Sequence, residues 1–190
     1  MKNHGVTENT PKEILFGAGV FYKGLKFVEN AWTGTILGAT NGGGKITIEP
    51  EYVPLEADGV TVKVKGMTKK VSEAGSMEIN LTEINEGLVK TALHLVADET
   101  ASITGYTKFV TKADITDEDY LDNIAFVGKR NDGKNIIVIM PNALCTSALE
   151  LEGANKEQGS YALTFECHAD LTAEDMTKLP IEIYTPVATV

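Results

Sequence analysis

Polar and apolar residues alternate along much of this chain with a period of two, the mark of strands that bury one face. In "VTVKVKG" Val60, Val62 and Val64 fall on one side and Thr61, Lys63 and Lys65 on the other, which predicts a half-buried strand. In "SMEINLTE" the inward set is Met77, Ile79 and Leu81, and in "SYALTFECHAD" it is Tyr161, Leu163, Phe165 and Cys167. Between "YLDNIAFVGKR" and "KNIIVIMP", Asn131-Asp132-Gly133 supplies the positive φ that a tight hairpin needs. "ILFGAGVFYKG" and "WTGTILGAT" read as short strands broken by glycine.

One segment keeps a different period. "TEINEGLVKTALHL" sets Ile84, Leu88, Ala92 and Leu95 at helical spacing behind Thr82 as a candidate N-cap, predicting a helix over about 83–95. Gly87 weakens that helix by about 1 kcal/mol relative to Ala, so packing of its apolar stripe must stabilise it. A further helical turn is expected in "TAEDM", 172–176. Strands, one helix and more strands, without βαβ alternation, predict a mainly β single domain over 1–190: an antiparallel β-sandwich or barrel with one flanking α-helix and an extended loop or arm. The arm is expected in "EPEYVPLEADG", where Pro50 and Pro54 oppose a regular central strand and Glu49, Glu51, Glu56 and Asp58 crowd together. Residues 1–13 read as a flexible N-terminal segment.

Length and charge narrow the function. A chain of 190 residues with 43% apolar content supports one domain with a sizeable core. A net charge of −10 argues against sequence-tolerant nucleic-acid binding and anionic membranes, which are held by Lys and Arg, and is only compatible with a surface that DNA passes without adhering. The start "MKNHGVTENTPKEI" has no signal-peptide core, and "IIVIM" at 136–140 is too short to span a bilayer. Cys145 and Cys167 are too few for a disulfide framework and read as buried thiols.

Candidate chemistry is sparse. "ATNGGGKITIEPEY" imitates a phosphate loop but fails it: Ala39 stands where the first glycine belongs, Ile46 replaces Ser or Thr, and a strand follows where a helix should. Gly42 to Gly44 therefore read as a hinge launching "KITIE". His4, His94 and His168 share no metal-ligand spacing, and Cys167 and His168 point to opposite faces of one strand. Ser76 lacks the flanking glycines of a nucleophile elbow, and acidic pairs such as Glu118–Asp119 and Glu174–Asp175 read as solvated faces. No cofactor, metal or enzyme activity is expected. Lys63, Lys65, Lys69 and Lys70 form the one basic cluster, and beside the acidic arm they suggest a charge-matched head-to-tail contact between copies.

The loop "EYVPLEADGVTVKVKG", the strand and helix "GSMEINLTEINEGLVKTAL", and the late pair "ALELEGANKEQGSYALTFECHAD" with "LPIEIY" occur in an order that resembles the major tail tube proteins of long-tailed bacteriophages, over about the last three quarters of the chain. The resemblance implies a structural virion subunit, assembled in the host bacterial cytoplasm into hexameric rings that stack as a tube. DNA and a tape-measure protein occupy the lumen, and tail-tip and terminator proteins are further partners, with no membrane. Carried onto this sequence, an arm at about 46–66 contacts neighbouring subunits through Ile46, Ile48, Glu49, Glu51, Tyr52, Glu56, Asp58, Lys63 and Lys65. Glu78, Glu166 and Asp170 become candidate luminal charge. Two alternatives stand beside this reading: the inner-tube subunit of a phage-derived contractile particle or secretion apparatus, and a monomeric ligand- or carbohydrate-binding β-sandwich. The last calls for an exposed aromatic platform, toward which the sequence offers Trp32 and scattered Tyr and Phe.

Overall fold

The computed structural model describes residues 3–98, 100, 103–151, 153, 155–156 and 158–187. It is mainly β, with an antiparallel eight-stranded sheet and one flanking helix. The strands are β1 (Val20–Val28), β2 (Ala31–Ile36), β3 (Thr40–Pro54), β4 (Thr68–Leu81), β5 (Val96–Ala97), β6 (Phe109–Val110), β7 (Leu121–Lys129), β8 (Asn135–Cys145), β9 (Tyr161–Cys167) and β10 (Glu182–Tyr184). Helix α1 is a single turn at Thr10–Glu13 and α2 spans Glu86–Leu93. The order in the sheet is β2-β1-β7-β8-β9-β4-β3, with β10 beside the first half of β8, while β5 and β6 form a separate ribbon.

The sheet folds over on itself. Its kink lies where Asn123, at φ 49°, faces Pro141 across the β7–β8 ladder. Pairing runs Leu121↔Ala143, Asp122↔Asn142, then Ile124↔Met140, so the residue without an N–H sits at the gap. Asparagine tolerates the left-handed conformation there better than most residues. Both strands change face at this point: Met140 and Ala143 enter the same core although they are an odd number of positions apart.

That core gathers Phe21 from β1, Ile124 from β7 and Met140 from β8 with Met77, Ile79 and Leu81 from β4 and Leu163 and Phe165 from β9. Helix α2 covers it with Leu88 and Ala92. Leu25, Ala125, Ile137 and Ile139 form a second cluster with Tyr22, Trp32 and Val127 packed against it. Alternate residues of β7 thus enter different clusters, and β8 gives Ile137 and Ile139 to the second and Met140 to the first, so "IIVIM" meets apolar surroundings on both faces.

The alternation in β4 and β9 and the Asp-Gly hairpin are as expected, with Gly133 at φ 82° donating to the Arg130 carbonyl at 2.9 Å. Other local expectations need correction. The helix begins later than 83, because Asn85 and not Thr82 caps it, its Oδ1 accepting from Leu88 N at 2.9 Å. Thr82 instead donates to the Ala39 carbonyl, and Ile84 is exposed. Residues 172–176 form turns in place of a helical turn. Val60, Val62 and Val64 are in no strand and are 44%, 73% and 42% exposed, because the sheet supplies no neighbour there for a strand to pair with. Pro50 and Pro54 lie inside β3, an edge strand whose open side has no ladder to lose.

Within the N-terminal segment, whose Met1 and Lys2 lie outside the described residues, α1 is bound to the β7–β8 hairpin. Asn131 Nδ2 donates to the Pro11 carbonyl at 3.0 Å and Asp132 N to that of Lys12 at 3.1 Å.

Candidate functional site

The feature that departs most from a closed sandwich is the β3–β4 hairpin. β4 pairs with β3 along its length but with β9 only from Ser76 to Leu81. The remainder, Thr68 to Gly75, extends as a two-stranded ribbon for about 25 Å at 3.3 Å per residue. Residues 55–67 close it as an irregular tip. Such a ribbon is marginal alone, and this one leaves Tyr52, Val53, Leu55, Val62 and Val71 between 43% and 73% exposed.

The residues assigned to the arm divide along it. Ile46 packs against the main core and Ile48 is half-buried, so the projection starts at about Glu49 and not at Ile46. Glu49 and Glu51 lie opposite Ala74 and Ser72, and Ser72 Oγ donates to Glu51 Oε2 at 2.6 Å. One extra residue in β4, Val71, makes a bulge after Glu51. Beyond it Tyr52 faces Lys70, whose ammonium bonds Glu73 at 2.9 Å. Glu56, Asp58, Lys63 and Lys65 are all exposed in the tip. Both charge blocks therefore belong to one arm, as expected for Lys63 and Lys65, although those two lysines lie in the irregular tip and not on a strand pair. Among the described residues neither Lys63 nor Lys65 makes an ion pair, so both charges face outward.

Glu78 and Glu166 project from the same outer face. Ser76 pairs with Glu166 and Glu78 with Thr164, which makes the two carboxylates diagonal neighbours. Lys45 lies opposite Glu78 on β3, and Thr146 Oγ1 donates to Glu166 at 3.0 Å. Asp170 stands apart from them, beyond the end of β9. Its carboxylate accepts from the hydroxyl and backbone N–H of Thr172 at 2.6 and 2.7 Å, and those bonds hold its pKa below the ordinary value.

Two groupings escaped the sequence. His94, at φ 49° as the C-cap of α2, bonds the Cys145 carbonyl at 2.8 Å through Nε2, while its Nδ1 lies 3.9 Å from Asp119 Oδ1. Asp119 also bonds Lys112 and accepts from Thr116 N at 2.7 Å. Burial raises its pKa, but the Lys112 and Thr116 bonds outweigh this and the net shift is downward. The second grouping is an aromatic stack: Phe27 and Trp32 have ring centroids 5.1 Å apart, and Trp32 and Tyr184 4.9 Å apart. The pairing of Phe27 with Trp32 had a local signal in the two-residue connection Glu29-Asn30; Tyr184 had none, since it arrives through β10.

Among the described residues no three His, Cys, Asp or Glu side chains are grouped to hold a metal ion, and no helix is long and apolar enough to cross a membrane. Against known proteins, no family profile matches this chain and no curated relative matches it.

Proposed function

We infer that this chain is a structural subunit of a phage-type tail tube that assembles with copies of itself into stacked hexameric rings and offers DNA a conduit. The observation that carries the reading is the overhanging β3–β4 ribbon. A two-stranded ribbon with exposed Tyr52, Leu55 and Val62 gains its missing burial only from another molecule. Lys63 and Lys65 at its tip meet complementary carboxylates on the next copy of a chain whose net charge is −10. A contact between an arm on one side and a different surface on the other is heterologous, the type that closes rings. The shared outer face of Glu78 and Glu166 supplies negative charge for a lumen along which DNA slides without adhering. No catalytic step enters this role.

The test is assembly. The purified chain is concentrated, its mass measured by light scattering and its form imaged by negative-stain electron microscopy. Hexameric rings or hollow tubes are expected. A chain that remains monomeric at every concentration, with its tail-tip proteins added, overturns the reading.

A further inference from the structure

The aromatic stack lines an open cleft of about 800 Å³, remote in the sequence from the arm. It is open and shallow, so a ligand would lie on it by one face. Its construction begins with Glu29 and Asn30, both in the left-handed region at φ 50° and 67°, which make the two-residue turn joining β1 to β2. The turn fixes Phe27 directly opposite Trp32. β10 pairs Tyr184 with Ile137 of β8 and so carries a third ring to the edge of Trp32. Trp32 rests against the second apolar cluster, while Phe27 is 56% and Tyr184 44% exposed. The rings are held by three paired strands, so a ligand need not order them.

The polar groups on the walls define what fits. Asn135 and Thr185 line the cleft, and among the described residues their side chains make no hydrogen bond, leaving an amide and a hydroxyl on offer. Lys134 is the one charged lining residue, and its ammonium donates to the Val187 carbonyl at 3.4 Å. One cation so engaged does not make an anion site. Exposed rings beside neutral donors and acceptors suit a ligand with one apolar face and a rim of hydroxyls. We propose that this cleft binds a neutral oligosaccharide, a sugar ring lying on Phe27 with Trp32 behind it and its hydroxyls bonded to Asn135 and Thr185.

The proposal does not rest on the tube reading, and its test uses the free full-length chain. Trp32 is the sole tryptophan, so intrinsic emission reports on the cleft directly. Titration with maltotriose, cellotriose and chitotriose in turn is expected to give a saturable emission change with at least one of them. Phe27→Ala is expected to weaken that binding by about tenfold through loss of one ring contact, and Asn135→Ala to weaken it independently. Both variants are to keep the parent's circular dichroism and melting temperature. A flat response to all three sugars overturns the proposal. So does an emission change that follows protein concentration without sugar, which would make the cleft a contact between copies. Unaltered sugar affinity in Phe27→Ala and Asn135→Ala would also overturn it.

Discussion

Gly44 on β3 lies against Phe21 on β1, with four strands between them in the sheet order: a Cβ at Gly44 would sit 2.5 Å from Phe21 Cζ and 2.3 Å from the Glu78 carbonyl oxygen. This contact shuts the sandwich over its main core. Replacing Gly44 by Ala forces either the ring or the β4 backbone to move, so the variant is expected to lose about 1–3 kcal/mol, read as a lower denaturant midpoint with an unchanged slope. An unaltered midpoint would mean that the strands do not approach this closely.

The same glycines show how far sequence reasoning reached. Their failure as a phosphate loop and their reading as a joint followed from spacing, and Gly42 and Gly43 do adopt φ 80° and 71° at a break in the β3–β4 register. The alternation of Met77, Ile79 and Leu81 was equally legible, because a strand's own period names its buried face. Val60, Val62 and Val64 carried that signal just as clearly, but alternation cannot say whether a neighbouring strand exists. The two prolines exclude a central strand, as expected, but that a strand runs through them at all depends on edge position, a property of the whole sheet. The aromatic cleft joins β1, β2 and β10 from opposite ends of the chain, and no local pattern announces such a meeting.

If the ribbon exists to reach a neighbour, its tip is dispensable for folding. Replacing residues 55–67 with a short Asn-Gly turn is expected to shift stability by no more than about 0.5 kcal/mol, because the tip lies beyond the strands that enclose the core. Assembly into rings is expected to be lost. Tubes formed by the trimmed chain would show that the tip is not the joint.

Charge reversal isolates the electrostatic part of that contact. Lys63→Glu with Lys65→Glu keeps the tip's length but opposes the acidic chain around it. Assembly is expected to weaken most at low ionic strength, where unscreened repulsion is largest, and the difference from the parent to narrow as salt rises. Sedimentation across a salt series reads this, and identical profiles for parent and variant would remove charge from the account.

Cys145 and Cys167 are both buried, and burial raises both thiols, that of Cys167 to about 11. Since the thiolate is the reactive form, both are expected to react slowly with a disulfide reagent at pH 8 in the folded chain and quickly once denaturant is added. A fast-reacting thiol in native buffer would place one of them at the surface.

Asp119 ties the segment before β7 to the end of α2, and it gives the fold a predictable acid sensitivity. Its carboxylate is the least exposed of those in ion pairs among the described residues, with 8% of the side chain accessible. Burial alone would favour the neutral acid; the bonds from Lys112 and Thr116 reverse this and lower its folded pKa below the ordinary 3.8. The unfolded chain therefore takes up the proton first as pH falls. The stabilisation is fully present above about pH 4 and disappears as pH drops through the lowered folded value. Asp119→Asn cannot hold Lys112 as an ion pair and is expected to be less stable than the parent by about 1–3 kcal/mol at pH 7. That gap is expected to close on acidification below pH 4, because the parent then loses what the variant never had. Urea unfolding of both chains from pH 7 to pH 3 measures the gap directly. A gap that stays constant over that range would mean that the charge of Asp119 contributes nothing and its hydrogen bonds alone hold the segment.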